Sequence, residues 1–173
     1  MLNARTSSQG RKMFKNGTVF LFDWGDTLMH DAPDQKGKMY LWPTVEAVEG
    51  AESLLRNLSR NHLIYVATSA KDSKEVEIQQ AFQRVGLDKY ISGYFCKSNL
   101  GLEKNSPLFY KQIATQLSVN CRDLIMVGDT FEKDITPAIQ AGCRAIYFNR
   151  DNRHVDSDIE QIHSLGELIT KTA

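Results

Sequence analysis

Short unbroken apolar runs alternate along this chain with segments whose apolar residues recur every three or four positions. Val19-Phe20-Leu21-Phe22 runs into Asp23, Leu63-Ile64-Tyr65-Val66-Ala67 into Thr68-Ser69, and Leu124-Ile125-Met126-Val127 into Gly128-Asp129. Ala145-Ile146-Tyr147-Phe148 is a fourth run, and Gly93-Tyr94-Phe95-Cys96 a weaker fifth. Runs without polar alternation suit strands covered on both faces, as in a parallel sheet. Between them, Ala51, Leu54, Leu55 and Leu58 follow the i, i+3, i+4, i+7 spacing of a helix face, as do Ile78, Ala81, Phe82 and Val85 ahead of Gly86. Ser106-Pro107 reads as N-cap and first residue of a helix carrying Phe109, Ile113 and Leu117. Pro137 to Ala141 reads as a helix stopped by Gly142, and Ser164 with Glu167 as a capping box opening a terminal helix. Strands alternating with helices predict an α/β fold with a parallel sheet.

Residues 1–17 are polar and mildly basic, with Arg5, Arg11, Lys12 and Lys15, and show no periodicity. They are expected to form a loose tail ahead of a single domain over 18–173. The chain has 173 residues, 42% apolar and 24% charged, which fits one globular domain and excludes a disordered or fibrous chain. Lys+Arg and Asp+Glu both total 21, so there is no net field to capture nucleic acid or an anionic membrane. No stretch is apolar for the roughly 18 residues of a membrane span, and the first residues lack the apolar core of a signal peptide. Cys96, Cys121 and Cys143 lack metal-ligand spacing and suit small packing residues in a reducing compartment. The expected location is the cytoplasm.

In open α/β sheets, ligands bind beyond the carboxyl ends of the strands. Asp23, Thr68 and Asp129 end three of the runs and are expected to converge there. Lys104, just before the Pro107 helix, and Asp134, five positions after Asp129, are in reach of the same crevice. Clustered carboxylates repel unless a cation lies between them, and an all-oxygen ligand set suits Mg²⁺. A lysine and a hydroxyl suit a phosphate. A carboxylate beside such a phosphate can attack it and form an aspartyl-phosphate. Each residue alone has a plainer role: Asp23 or Thr68 in a turn, Lys104 as a solvated loop lysine, Asp134 near a helix N-terminus. Ser69 competes with Thr68 for the phosphate, and Lys97 with Lys104. Trp42 rests either on substrate or on the edge of the core.

Four segments, in order, resemble the motifs of the haloacid dehalogenase (HAD) superfamily. They are Phe20 to Leu28 with Asp23-Trp24-Gly25-Asp26-Thr27, Ile64 to Thr68, Lys104 before Ser106-Pro107, and Gly128-Asp129 through Asp134 in a GDxxxxD pattern. The resemblance covers roughly 18–150. It implies a three-layer Rossmann-like fold, a five-stranded parallel sheet with the first motif on the central strand. It implies a Mg²⁺-dependent phosphatase working through an aspartyl-phosphate on Asp23. Trp24, Gly25, Thr68, Ser69 and Lys104 would contact the phosphorylated substrate. Asp23, the Gly25 carbonyl, Asp129 and Asp134 would surround the metal.

The chain departs from the family at one position. The family's phosphatases read Asp-x-Asp-Gly-Thr and use the second Asp as general acid and base. Here Gly25 occupies that position and the aspartate, Asp26, stands one residue later. General acid–base help contributes about 10²–10⁴-fold, so the proton donor is the open question. Asp26 either swings back into the site or hydrogen-bonds the loop, and His30 is a further candidate. Residues 28 to 62, which are 35 positions, leave no room for a cap domain. The site is expected to be open, with a large substrate, or lidded by the 29–49 loop or by another subunit of a homo-oligomer. Two other readings stand beside the phosphatase. One is a weak enzyme that binds a phosphorylated ligand or protein partner. The other is a dehalogenase, which would need no Mg²⁺.

Overall fold

The computed structural model describes Lys15 and residues 17–155 and 158–172. Almost all of the tail expected over 1–17 lies outside the described residues. The strands are β1 (Val19–Phe22), β2 (Leu63–Ala67), β3 (Gly93–Phe95), β4 (Leu124–Gly128), β5 (Arg144–Phe148) and β6 (Gln161–Ile162). The helices are α1 (Ala51–Leu58), α2 (Glu75–Arg84), the single turn α3 (Lys97–Leu100), α4 (Pro107–Leu117), α5 (Thr136–Gln140) and α6 (Leu165–Thr172). One sheet of order β3-β2-β1-β4-β5-β6 holds all six strands, every pair parallel.

The expected five-stranded sheet is corrected to six. β6 spans only Gln161 and Ile162, one exposed and one buried, so it makes no apolar run. It is recruited by tertiary pairing with Tyr147 and Phe148 of β5. The other five strands lie where the apolar runs put them.

β1 is central, and all four of its residues are buried. Successive side chains of a strand point to opposite faces. Phe20 and Phe22 meet Leu54 and Leu55 of α1, Phe82 of α2 and Leu168 of α6 on one side. Val19 and Leu21 meet Phe109 and Ile113 of α4 and Ala138 of α5 on the other. A run without polar alternation is what two helical layers demand, and the result is a three-layer sandwich.

The helix signals act as their chemistry requires. Ser106 Oγ accepts the Leu108 N–H at 3.2 Å, with Pro107 in the first turn. Glu167 reaches back to accept the Ser164 N–H at 3.0 Å. Gly86 and Gly142, just past α2 and α5, have φ of 70° and 90°, a left-handed conformation that costs glycine little. Among the described residues, the chain between β1 and α1 forms loop and a 3₁₀ turn at Met39–Leu41, with no cap domain. No helix of the described residues is long and apolar enough to cross a membrane.

Candidate active site

Register builds the site. β1 pairs with β2 and β4 so that Phe22 lies opposite Val66 and Val127. Asp23 therefore leaves the sheet beside the ends of both neighbours, and its N–H donates to the Val127 carbonyl at 3.0 Å. Ligand oxygens of Asp23, Asp129 and Asp134 all lie within 4.8 Å of one another.

Lys104 stands among them and is 1% exposed. Its Nζ donates to Asp23 Oδ1 at 2.6 Å and to the Ala67 carbonyl at 2.9 Å. It also forms an ion pair with Asp134 Oδ1 at 2.6 Å. Burial alone would lower the pKa of this lysine, but the charges of Asp134 and Asp23 outweigh it and hold the group above its ordinary value. The opposite balance governs two carboxylates. Burial first, then Asp23, pushes Asp129 up to about 7. Burial first, then Asp23, pushes Asp134 up to about 6 against the pull of Lys104. Asp134 is held from the other side by the Thr130 N–H, 2.9 Å from its Oδ2. A π-helical turn at Phe131–Ile135 carries it back beneath β4. Gly128 is required there, because a Cβ at that position would overlap the Asp134 carboxyl.

Thr27 is fully buried and belongs to the same group, though its neighbours in sequence drew attention instead. Its hydroxyl lies 3.3 Å from Asp23 Oδ2 and 3.2 Å from Asp129 Oδ1, so its single proton serves one of them at a time. Three crowded carboxylates, with Asp129 and Asp134 held above their ordinary range by burial and by Asp23, offer oxygen-only donors that fit a hard cation, which would relieve the repulsion among them.

A cleft of about 660 Å³ opens over this group. Asp23, Trp24, Gly25, Thr68, Ser69, Lys104 and Asp134 line it, and Asp129 lines an adjoining cleft of about 480 Å³ that shares Thr130. Thr68 Oγ1 accepts the Ala70 N–H at 3.1 Å. The Ser69 hydroxyl is buried and has no hydrogen-bond partner, which leaves it available to an anion in the cleft. Lys97 is tied to Glu103 at 2.7 Å and does not line the cleft.

Asp26 does not join the group. Its backbone adopts φ 58°, and its Oδ1 accepts the Asp31 N–H at 3.1 Å and faces Arg150 at 3.6 Å. His30 is exposed and lies outside the cleft lining. The sequence reading missed Asp31, Lys38, Lys71 and Lys133, all of which line the cleft. They sit in loops or on helix starts without periodicity, so nothing local marks them.

The 29–49 loop forms part of the cleft wall through Asp31, Gly37, Lys38, Met39 and Trp42, and it is tied to α2. Lys38 pairs with Glu77 of α2 at 2.8 Å, and Arg84 of α2 donates to the carbonyls of Tyr40, Trp42 and Pro43 at 3.2, 2.5 and 3.1 Å. Trp42 is 8% exposed within the core and also lines the cleft.

Comparison with known proteins gives the family and the fold. A family model described as haloacid dehalogenase-like hydrolase matches residues 25–142. Pyrimidine 5'-nucleotidase PynA of Streptococcus pneumoniae is 27% identical over 117 residues, covering 66% of this chain and 48% of that protein. The chain thus spans about half the length of that curated relative. Among solved structures, an uncharacterized protein from Listeria monocytogenes serotype 4b superposes with a TM-score of 0.78 at 18% identity, over 88% of this chain and 95% of its own. The HAD-hydrolase YfnB of Bacillus subtilis, bound to magnesium, superposes with a TM-score of 0.73 at 15% identity, over 91% and 99%. At such identities these likenesses concern the fold.

Proposed function

The chain belongs to the haloacid dehalogenase-like hydrolases, and on that premise we propose that it is a Mg²⁺-dependent phosphatase acting on a phosphomonoester through an aspartyl-phosphate on Asp23. One observation carries this reading. A nearly buried carboxylate at the floor of a cleft is oriented by a buried lysine at 2.6 Å, and its oxygen lies within 4.8 Å of those of two further aspartates.

Asp23 is the nucleophile. Lys104 and Thr27 fix its carboxylate, so the attacking oxygen enters with little rotational freedom left to lose. The Lys104 ammonium, the Ser69 hydroxyl and Thr68 would hold the phosphoryl oxygens and offset the charge spread over them during transfer. Asp23, Asp129, Asp134 and the Gly25 carbonyl would hold Mg²⁺, which when bound supplies charge neutralisation at the phosphoryl group. Trp24 packs on Phe82 with ring centroids 6.1 Å apart and stiffens the turn that carries the nucleophile.

The relative named a pyrimidine 5'-nucleotidase supports a phosphomonoester substrate, and the magnesium bound to the Bacillus protein supports the choice of cation. The three free cysteines support a cytoplasmic location. A colorimetric phosphatase assay with and without Mg²⁺ tests the proposal. Hydrolysis that needs Mg²⁺ supports it, and metal-independent release of halide from a 2-haloacid would replace it with the dehalogenase reading. A second reading, capture of a phosphorylated ligand with little turnover, is favoured by Gly25 and by the engagement of Asp26 outside the cleft. It predicts phosphate binding without release of product.

A further inference from the structure

The loop after β1 brings into the cleft a carboxylate that the motif pattern does not anticipate. Gly25 has no side chain to project there. A Cβ set on Gly25 would lie 3.5 Å from Asp31 Cβ and 3.7 Å from both Asp31 Cγ and Oδ2. Asp31 thus stands in contact with the volume where a side chain at position 25 would begin. Both residues line the cleft together with Asp23 and Lys104.

The backbone that puts Asp31 there is closed on itself. Leu28 and Met29 donate their N–H groups to the Trp24 carbonyl at 3.1 and 3.2 Å, and Asp26 donates its own to the Met29 carbonyl at 2.7 Å. The Asp26 carboxylate then accepts the Asp31 N–H. The aspartate that stands one position late is therefore engaged in holding a second aspartate five residues further on. Four carboxylates line the cleft: Asp23, Asp31, Asp72 and Asp134. Asp23 is the nucleophile and Asp134 is committed to Lys104 and the Thr130 N–H. Of the remaining two, Asp31 is the one against Gly25.

We propose, resting on the aspartyl-phosphate reading above, that Asp31 is the general acid and base of this site and stands in for the side chain absent at Gly25. In the first half-reaction an Asp23 carboxylate oxygen bonds to phosphorus while the bond from phosphorus to the leaving oxygen breaks. The Asp31 carboxyl proton passes to that oxygen and the alcohol departs. In the second, a water oxygen bonds to phosphorus, its proton goes to the Asp31 carboxylate, and the bond from phosphorus to Asp23 breaks. Inorganic phosphate leaves, and both carboxyl groups return to their starting states.

The test compares 4-nitrophenyl phosphate, whose leaving group needs little protonation, with uridine 5'-monophosphate, whose alkoxide does, on the full chain with Mg²⁺. Asp31→Asn should lower turnover of the nucleotide by about 10²–10⁴-fold. Formation of the phosphoenzyme from the aryl ester should persist, and phosphorylated Asp23 should accumulate because the water is no longer activated. Asp31 is exposed, so the variant should melt with the wild type. Equal losses in the rate of phosphoenzyme formation from the two esters, or no accumulation of phosphoenzyme, would overturn the role of Asp31 while leaving Asp23 as nucleophile. The same selective loss from Asp26→Asn or Asp72→Asn, with Asp31→Asn unaffected, would move the role to that residue. A wild type that hydrolyses neither ester with Mg²⁺ would overturn the phosphatase reading itself, and Asp31 with it.

Discussion

The Lys104 ammonium meets the Asp23 carboxylate at 2.6 Å across 81 residues of sequence, with the lysine 1% exposed. A buried lysine is tolerated only with opposite charge at hand, and here Asp134 supplies a second carboxylate at the same distance. Lys104→Met should leave two carboxylates facing each other in the interior. The expected cost is about 3–5 kcal/mol in urea unfolding at pH 8, with loss of turnover. The cost should shrink at pH 5, where the carboxyls can protonate. A variant as stable as the wild type at pH 8 would show that the pair does not hold the site together.

Asp23→Asn keeps the shape and removes the nucleophile. Turnover should fall by several orders of magnitude, and Mg²⁺ with fluoroberyllate, an acyl-phosphate mimic, should raise the melting temperature of the wild type and not of the variant. Substantial hydrolysis by Asp23→Asn would end the covalent mechanism.

Metal-free protein should lose stability as the pH rises. The carboxyl of Asp129 is raised to about 7 and that of Asp134 to about 6, against an ordinary 3.8. Between pH 4 and 7 the folded state therefore holds protons that the unfolded chain has released, and raising the pH through that window removes this advantage. The melting temperature of the apo protein should fall from pH 5 to pH 8. Mg²⁺ at a hundredfold excess over its Kd should restore roughly 5–10 °C at pH 8 and less at pH 5. Asp129→Asn should flatten the pH dependence and abolish the Mg²⁺ shift. A rise of stability with pH in the apo protein would contradict the geometry.

Gly128→Ala forces a methyl group into the Asp134 carboxyl. Overpacking of this kind costs about 1–3 kcal/mol. Because the displaced group is a site carboxylate, the variant should also lose its thermal response to Mg²⁺. A retained Mg²⁺ response would mean that Asp134 can move aside and still serve.

Arg84→Ala cuts the hydrogen bonds from α2 to the carbonyls of Tyr40, Trp42 and Pro43. KM for a nucleotide-sized substrate should rise severalfold. Turnover of 4-nitrophenyl phosphate, which needs less of the 29–49 loop, should change little. Equal changes on both substrates would argue that the loop takes no part in substrate contact.

Much of the molecule was legible in the chain, for definable reasons. Strands buried on both faces must be apolar throughout, so β1, β2, β4 and β5 announced themselves. Helices with one buried face carry their period, and caps such as Ser106 and Glu167 use side-chain chemistry that acts within a few residues. A ligand crevice beyond parallel strand ends made Asp23, Thr68 and Asp129 candidates before any coordinates. What the sequence could not determine is whatever depends on meetings between distant loops. β6 exists because β5 offers it an edge, not because Gln161 and Ile162 favour a strand. Thr27 matters because two carboxylates a hundred residues apart close around it. The neighbouring aspartates Asp26 and Asp31 look alike along the chain. Only the left-handed turn at Asp26 and the Trp24 carbonyl that gathers the loop turn one toward Arg150 and the other into the cleft beside Gly25. Local propensity acts over a few residues, whereas the direction a loop carboxylate faces is set by the packing of everything around it.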